Sequence, residues 1–582
     1  MPSVNTRTSG LRRGGFGWPT LDVSRHSRSQ PSRVAAAASS GPVDDDLDVA
    51  IVGGGPAGLA AAAALLRAAP GVKLRVFEAA PSYREQGAGV LVQANGGRAL
   101  EALDPRLMHQ LVSYGTIISG MVPYNDTTGE KLPWVTGLNP MADVDAVGFA
   151  NVLVLWNDIR RILYDALPPG TVQFGGRVIQ VVPPEDWDED DHSQEQDPFT
   201  LRVADASAPP GSPSPLASVR ARCVVAADGY FSRTRRAFDG EAGAPAFHRM
   251  ALWRGSLSRE ELAAAGSALP DAFNPAVNPE GLRCNHFWSP ATPQQPPTGP
   301  PPRGIMIFPA GPLEGGSAAS LLEGDAARLV WNVWLGGADE AAVAEADGKP
   351  AADGSVHTAG TQGGASLARC LAANAHLPPD LRALLAATPP ERVTEHGLYM
   401  HPLEGFVQGA WARGRLVLLG DAAHTAPPDG QGANLALEDA VVLGEAVRAH
   451  GLGAEAFAAW EALRQPRVTA ILGDKTPTAT VRMPLIRTAA FEPLWSAAGL
   501  EAAGSLPPGV AAEARQAGAA AAAAAGAAAE GEAAAQAAAT AAERKVILDW
   551  SAGVVRSLVA AKVEGRDMLA SGPRPEGMYR IR

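Results

Sequence analysis

The sequence predicts an α/β fold built around a parallel β-sheet, and three observations carry this prediction. Apolar segments typical of strands alternate with helical segments near the start of the chain. Two further apolar segments, far apart in the sequence, are typical of strands that end in Asp228 and Asp421. Between them, residues 241–395 carry many aromatic side chains, which are suited to packing within a sheet.

The first predicted unit consists of a strand, a helix and a second strand. Residues 47–52 are apolar and predict a buried strand, residues 56–69 predict a helix, and residues 73–77 predict the next strand. Such a βαβ unit implies parallel strands. Glu78 ends the second strand, where a carboxylate can accept hydrogen bonds from the ribose hydroxyls of an adenosine.

A glycine-rich turn joins the first strand to the helix, which then starts with Pro56 and Ala57. Gly53 permits a tight turn, Gly55 lets the backbone approach a pyrophosphate, and Gly58 allows the helix to pack closely on the strand. The phosphates would bind at the helix N-terminus, where free N–H groups and the helix dipole favour anions.

Two later motifs place an acid at the end of a strand. The second motif is a buried strand that ends in Asp228 and Gly229. In the third, a buried strand ends in Asp421, and after a loop Gly432 precedes a long predicted helix, residues 435–449. The N-terminus of that helix would stabilise negative charge, as on the pyrimidine edge of a reduced flavin.

Length and composition limit the class of protein. At 582 residues the chain exceeds one hydrophobic core, so we expect two packed domains. The formal net charge of -12 argues against nucleic acid as a partner, because phosphate binding needs clustered Lys and Arg. Three scattered cysteines predict neither a disulfide framework nor a metal site. With no apolar run of about 20 residues, no membrane-spanning helix is predicted.

The three motifs in this order resemble the class A flavoprotein monooxygenases, which include 4-hydroxybenzoate hydroxylase, salicylate hydroxylase and zeaxanthin epoxidase. The resemblance covers about residues 48–468 and extends to the segments Tyr83–Gly89 and Trp253–Gly255 and to Trp460. It implies a Rossmann-like FAD-binding domain of the GR2 type with an inserted mixed β-sheet substrate domain.

The resemblance also implies roles for individual residues. Asp421 would bind the ribityl chain of FAD, Gly432, Ala433 and Asn434 would hold the isoalloxazine, and Pro427 would border its reactive edge. Asp228 and Arg84 would lie near the flavin. His424 would mainly order its loop, so Pro427 and His424 are only weak catalytic candidates.

One position departs from the family pattern. Many relatives carry an FAD-contacting arginine where this chain has Trp156, with Arg160 and Arg161 a turn later. Either Arg160 contacts FAD from the next turn, or FAD is held slightly differently.

The resemblance and the amino-acid composition together predict the domain boundaries. The FAD-binding domain would span 44–240, with insertions at 183–218, and 396–475, with the substrate domain at 241–395 between them. Residues 501–545, mostly alanine, predict a low-complexity spacer, and residues 546–582 predict a C-terminal helical tail. Residues 1–40 are rich in Arg and Ser and carry one acid, which is typical of a transit peptide to the chloroplast or, alternatively, the mitochondrion.

The implied reaction uses NAD(P)H to reduce FAD, and the reduced flavin captures O2 as a hydroperoxide. The substrate would be an aromatic, quinone-like or isoprenoid small molecule, hydroxylated or epoxidised. A flavin-dependent reductase or dehydrogenase on the same fold, and a non-catalytic FAD-binding protein, are the alternatives. The inserted domain carries six aromatic residues of interest, Trp253, Phe287, Trp288, Phe308, Trp331 and Trp334. Most of them are predicted to pack within the sheet, and the others to line a substrate pocket.

Overall fold

The computed structural model describes most of the chain between residues 43 and 564. The described ranges are 43–83, 88–133, 136–185, 187, 197–205, 217–274, 276–278, 284–289, 303–310, 328–338, 361–402, 409–425, 430–474, 480–528 and 531–564. The predicted leader at 1–40, Arg84, Pro427 and parts of the predicted insertions at 183–218 therefore lie outside the described residues.

The strands are numbered in chain order. They are β1 Val43–Val52, β2 Leu74–Glu78, β3 Gly89–Val92, β4 Thr116–Ile117, β5 Gly120–Asn125, β6 Thr136–Gly137, β7 Val152–Leu155, β8 Val172–Phe174, β9 Gly176–Val182, β10 Phe199–Asp205, β11 Ala217–Ala226, β12 Ala246–Leu257, β13 Asn285–Ser289, β14 Arg303–Ala310, β15 Arg328–Gly336, β16 Thr361–Gln362, β17 Thr394–Met400, β18 Ala412–Arg413 and β19 Leu416–Leu418.

The α-helices are numbered in the same way. They are α1 Pro56–Ala68, α2 Ala94–Leu103, α3 Pro105–Tyr114, α4 Pro140–Val147, α5 Trp156–Asp165, α6 Arg233–Asp239, α7 Arg259–Ala264, α8 Gly364–Ala373, α9 Pro379–Ala387, α10 Asp421–His424, α11 Gly432–His450, α12 Ala454–Gly473, α13 Arg482–Arg487, α14 Ala497–Ala502, α15 Pro508–Ala527 and α16 Glu532–Glu564.

The first sheet has a parallel centre, as the βαβ pattern predicts. β1 lies between β2 and β11 and runs parallel to both, β19 continues the sheet beyond β11, and β8 continues it beyond β2. Because parallel strands end at one edge, Gly53, Glu78, Asp228 and Asp421 all follow strands at the same edge. Antiparallel β10 and β9 extend the sheet from β11. β10 lies within the predicted insertions at 183–218, so part of that segment is a strand.

The second sheet is mixed, in the order β16-β17-β12-β15-β14-β13-β5-β6. β5 runs parallel to β13, so the sheet extends beyond the predicted boundaries 241–395, since a strand from before the insertion completes it. One face packs on α8 and α9 and buries three of the six predicted aromatic residues, Trp253, Trp288 and Trp331. Phe308 is also buried, on the opposite face against β7. Phe287 and Trp334 stack at 5.4 Å on that face.

The alanine-rich segment differs from the expected spacer. α15 and α16 pack against each other, and α16 continues onto α3 and α4. Alanine favours helix, and small residues such as Ala514 and Gly518 let the two helices approach closely, with Ala514 fully buried. The predicted tail docks through a buried contact: Ser551 Oγ donates to Glu101 Oε1 at 2.6 Å and lies 3.0 Å from His109 Nε2. Within the described residues, no helix is both long and apolar enough to cross a membrane.

Candidate active site

The glycine-rich motif at the junction of β1 and α1 is fixed by backbone packing at Gly53 and Gly58. Gly53 has a φ of +103°, and a Cβ there would lie 2.3 Å from Ala227 O. A Cβ on Gly58 would lie 2.0 Å from Gly53 O, whereas one on Gly55 would meet nothing within 4 Å. The predicted tight turn and close packing are therefore present, and Gly55 leaves the N-terminus of α1 open to a ligand.

Glu78 is held at the carboxyl edge of the sheet by backbone donors. Its Oε2 accepts a hydrogen bond from Gly54 N at 2.9 Å, and its Oε1 accepts one from Ala80 N at 2.7 Å. Tyr83 OH donates to Gly54 O at 2.7 Å. A carboxylate offers about four acceptor positions, so Glu78 is fixed in direction and keeps capacity for ribose hydroxyls.

Arg160 lies beside this carboxylate, one turn after Trp156 at the start of α5. Its guanidinium carbon sits 4.6 Å from the centre of the Tyr83 ring. Burial lowers the pKa of Arg160, and the nearby Tyr83 and Glu78 partly offset that effect. Of the two alternatives at the Trp156 position, this placement favours the one in which Arg160 supplies the positive charge.

Asp228 is engaged within its own turn. Its carboxylate accepts hydrogen bonds from Ser232 Oγ at 2.6 Å and from Thr234 Oγ1 at 3.1 Å and Thr234 N at 3.2 Å. Burial raises the pKa of Asp228, and these donors oppose the shift. The side chain therefore orders the turn between β11 and α6 at the edge of the site.

Asp421 faces the N-terminus of α11. It begins the short helix α10 after Gly420, whose φ is +57°, and a Cβ on Gly432 would lie 3.7 Å from Asp421 Oδ1. The side chain is accessible, yet it lies deep enough among protein atoms that desolvation raises its pKa, while His424 and Arg254 oppose the shift. A carboxylate and a helix N-terminus thus lie next to each other, and we call the region beside them the cleft.

The opposite wall of the cleft comes from the second sheet. Trp253 of β12 packs into the core behind that sheet, so its neighbour Arg254 points the other way. Burial lowers the pKa of Arg254, and its nearest opposing influences are Tyr230 and Asp421. His396 of β17 lies on the same face, and burial together with Arg254 lowers its pKa to about 3. This wall therefore presents a cationic side chain beside a neutral imidazole.

His424 is buried away from the cleft. Its Nε2 lies 2.7 Å from Asp439 Oδ2, which also accepts a hydrogen bond from Gly420 N at 3.0 Å. Arg464 Nε donates to Asp439 Oδ1 at 2.8 Å. Burial alone would raise the pKa of Asp439, but His424 and Arg464 lower it to about 2. The position of His424 is that of a residue that orders the loop between β19 and α10.

Several contacts at the site have no signal in the sequence. Gln93 and Gln431 bond to each other although they are 338 positions apart, and His396 lies in a segment without a motif. Arg254 belongs to the Trp253–Gly255 segment, but only its face of the sheet places it in the cleft. These assignments depend on strand register and on contacts between distant segments.

Comparison with known proteins agrees with this geometry. Residues 46–256 and 384–472 match the family described as FAD binding domain, which covers just over half of the chain. The 3-amino-4-hydroxybenzoate 2-monooxygenase PtmB3 of Streptomyces platensis is 28% identical over 422 residues, covering 72% of this chain and 84% of the relative.

Two further matches agree on the fold. A dual trans-enoyl reductase/FAD-dependent monooxygenase of Aspergillus terreus is 27% identical over 420 residues, or 69% of this chain, but only 48% of that longer protein is covered. The structure of 2,6-dihydroxypyridine-3-hydroxylase from Arthrobacter nicotinovorans superposes with a TM-score of 0.52 at 20% identity, covering 78% of this chain and 95% of the hydroxylase.

The residues at the sheet edge fit FAD. The open backbone at Gly55, the fixed acceptor Glu78 and the accessible carboxylate of Asp421 provide three separate contacts along one edge. With the family match, they identify FAD as the cofactor. The chain belongs to the class A flavoprotein monooxygenases and is an FAD-dependent monooxygenase.

Proposed function

We propose that the enzyme transfers one atom of O2 to an aromatic small molecule, with NAD(P)H as the reductant. The balanced reaction converts substrate–H, NAD(P)H, H⁺ and O2 into substrate–OH, NAD(P)⁺ and water. FAD, when bound, would supply the redox chemistry that passes electrons from NAD(P)H to O2. The protein binds and orients the reactants and keeps water out of the cleft.

The observation that carries this proposal is the set of side chains that the two sheets bring together at the cleft. Asp421 lies next to the N-terminus of α11, and Arg254 of the second sheet lies close enough for Arg254 and Asp421 to influence each other's pKa, with His396 beside Arg254. A guanidinium suits a phenolate or carboxylate, which an aromatic acid offers and an isoprenoid hydrocarbon does not. The relative from Streptomyces platensis is named for such an acid, 3-amino-4-hydroxybenzoate.

We propose the following contacts for FAD. The N-terminus of α1 at Gly55 would hold the pyrophosphate, Glu78 the adenosine ribose, and Asp421 the ribityl chain. Arg160 would add positive charge near the phosphates, and the backbone of Gly432, Ala433 and Asn434 would hold the isoalloxazine. The burial of His424 favours loop ordering over proton transfer.

Turnover of the purified holoprotein tests the reaction. NADPH and NADH oxidation would be followed with and without 3-amino-4-hydroxybenzoate and salicylate, and products would be analysed after reaction in ¹⁸O2. Substrate-stimulated oxidation with one ¹⁸O atom in the product is expected. Flavin reduction without any ¹⁸O-labelled product from these or other aromatic acids would favour a reductase, and no flavin reduction would favour a non-catalytic protein.

Replacing Asp421 tests the cofactor contact. Asp421→Ala should purify largely without flavin, because the ribityl hydroxyls lose their acceptor. Asp380→Ala is the matched control, since Asp380 is an exposed aspartate near the start of another helix, α9. A yellow Asp421→Ala protein with one FAD per chain would refute this contact.

We also propose that residues 1–40 direct the protein to the chloroplast, with the mitochondrion as the alternative. Their Arg- and Ser-rich, acid-poor composition supports this. Residues 1–45 fused to a fluorescent protein should accumulate in plastids of a photosynthetic cell, and a cytosolic signal would contradict the proposal.

A further inference from the structure

Gln431 lies directly before the backbone segment proposed to hold the isoalloxazine. Its side chain is 1% exposed and bonds at both ends. Its Nε2 donates to Gln93 Oε1, and its Oε1 accepts a hydrogen bond from Asn95 Nδ2 at 3.0 Å. Asn95 Nδ2 also donates to Glu438 Oε1 at 2.7 Å. We call Gln93, Asn95 and Gln431 the amide relay; it joins the turn between β3 and α2 to α11.

Asn434 fixes the other end of the same segment. Its Oδ1 accepts a hydrogen bond from Gln93 N at 2.9 Å, while its Nδ2 donates to Leu91 O at 2.9 Å and Gly430 O at 2.6 Å. The backbone turns at Gly430, whose φ is +86°. The first N–H groups of α11 therefore have one direction, set by side chains at both ends of the segment.

Buried charges behind the relay are balanced. Glu438 Oε2 accepts hydrogen bonds from Arg464 Nη1 and from Arg467 Nε, both at 2.6 Å, and Glu438 and Arg464 are buried. The neutral amide of Gln431 is connected to this ion-pair cluster through Asn95. A carboxylate at position 431 would add a charge that none of these contacts balances.

We propose that Gln431 is a positioning residue that sets the reduction potential of bound FAD, by fixing the direction of the N–H groups at the start of α11. Reduction places negative charge on the pyrimidine side of the flavin, and oriented N–H dipoles stabilise such charge most when they need no reorganisation. Misaligned N–H groups should therefore favour oxidised FAD. This effect of Gln431 rests on the proposed contact between α11 and the isoalloxazine and does not depend on the identity of the substrate.

Three substitutions test the relay. Gln431→Leu removes the side-chain hydrogen bonds to Gln93 and Asn95 at similar volume, and Gln431→Glu keeps the shape and adds charge. Gln93→Met removes one of these bonds and leaves Gln431 in place. Gln465→Leu is the matched control, because Gln465 Nε2 also donates to a carbonyl oxygen, in this case the backbone Gly409 O at 3.0 Å, but lies on α12. The midpoint potential of the holoproteins would be measured by reductive titration against a reference dye, without NAD(P)H or substrate.

We expect graded results. Relative to the wild type, the preference for reduced FAD should fall about tenfold in Gln431→Leu, which is about 30 mV for a two-electron couple. It should fall further in Gln431→Glu, less in Gln93→Met, and not at all in Gln465→Leu. Unchanged potentials in the relay variants, or an equal shift in the control, would overturn the proposal. The proposal would also be overturned if every relay variant folded but lost FAD, because the relay would then be needed to bind FAD and not to set its potential.

Discussion

Gly58→Ala should destabilise the apoprotein through a clash with backbone. The added methyl group would lie 2.0 Å from Gly53 O and 3.3 Å from Ile51 Cγ2, so α1 must move away from β1 or the turn must open. Overpacking costs about 1–3 kcal/mol, and we expect the upper end because a carbonyl in a turn cannot rotate aside. The higher helix propensity of alanine returns about 1 kcal/mol, so unfolding should become about 2 kcal/mol easier.

Gly55→Ala is the matched comparison in the same turn. Its methyl group would meet nothing within 4 Å, and the φ of -74° and ψ of 178° suit alanine. The loss of glycine at the N-cap should cost only about 0.5 kcal/mol. FAD affinity should instead fall at least about tenfold, or 1.4 kcal/mol, because the methyl group occupies the approach to the pyrophosphate.

Two measurements separate the variants. Urea unfolding of the flavin-free proteins gives the free energies of unfolding, and quenching of FAD fluorescence on titration gives the affinities. A Gly58→Ala apoprotein as stable as the wild type would contradict the packing argument. Unchanged FAD affinity in Gly55→Ala would contradict the phosphate position.

Further predictions concern the buried polar contacts. Arg464→Met should lower the free energy of unfolding in urea by about 3–5 kcal/mol, because Glu438 and Asp439 lose a buried partner. A decrease below about 1 kcal/mol would contradict this expectation. The folded pKa of Asp439, about 2, lies below its ordinary value. Its stabilisation should therefore be complete above about pH 4 and be lost as the pH falls towards 2, whereas a constant unfolding free energy down to pH 2 would refute the coupling. Ser551→Ala removes the hydrogen bond to Glu101 and should lower the free energy of unfolding, measured in urea, by about 1–3 kcal/mol. An unchanged free energy of unfolding would show that docking of the C-terminal helix does not depend on this contact.

The sequence predicted the parts of the site that local geometry determines. The turn at Gly53 and the packing at Gly58 depend on neighbouring residues, and the strand ends at Glu78 and Asp421 follow from apolar runs. The spacer at 501–545 was expected from composition, but alanine-rich helices are stable when each covers the other. The helix that covers α15 is α16, which starts in the same alanine-rich segment. A low-complexity sequence has no periodic apolar pattern that would predict this packing.

The sequence by itself determined the βαβ unit, the acids at the strand ends and hence the family, because each is encoded over a few adjacent residues. Only the tertiary structure decided which side chains line the cleft. Arg254 and His396 face it because of strand register. Arg160 lies near Tyr83 and Glu78 because α5 packs on α1, and Gln431 meets Gln93 across hundreds of residues. Contacts between distant segments have no local pattern, so the walls of the cleft depend on the packing of the whole chain.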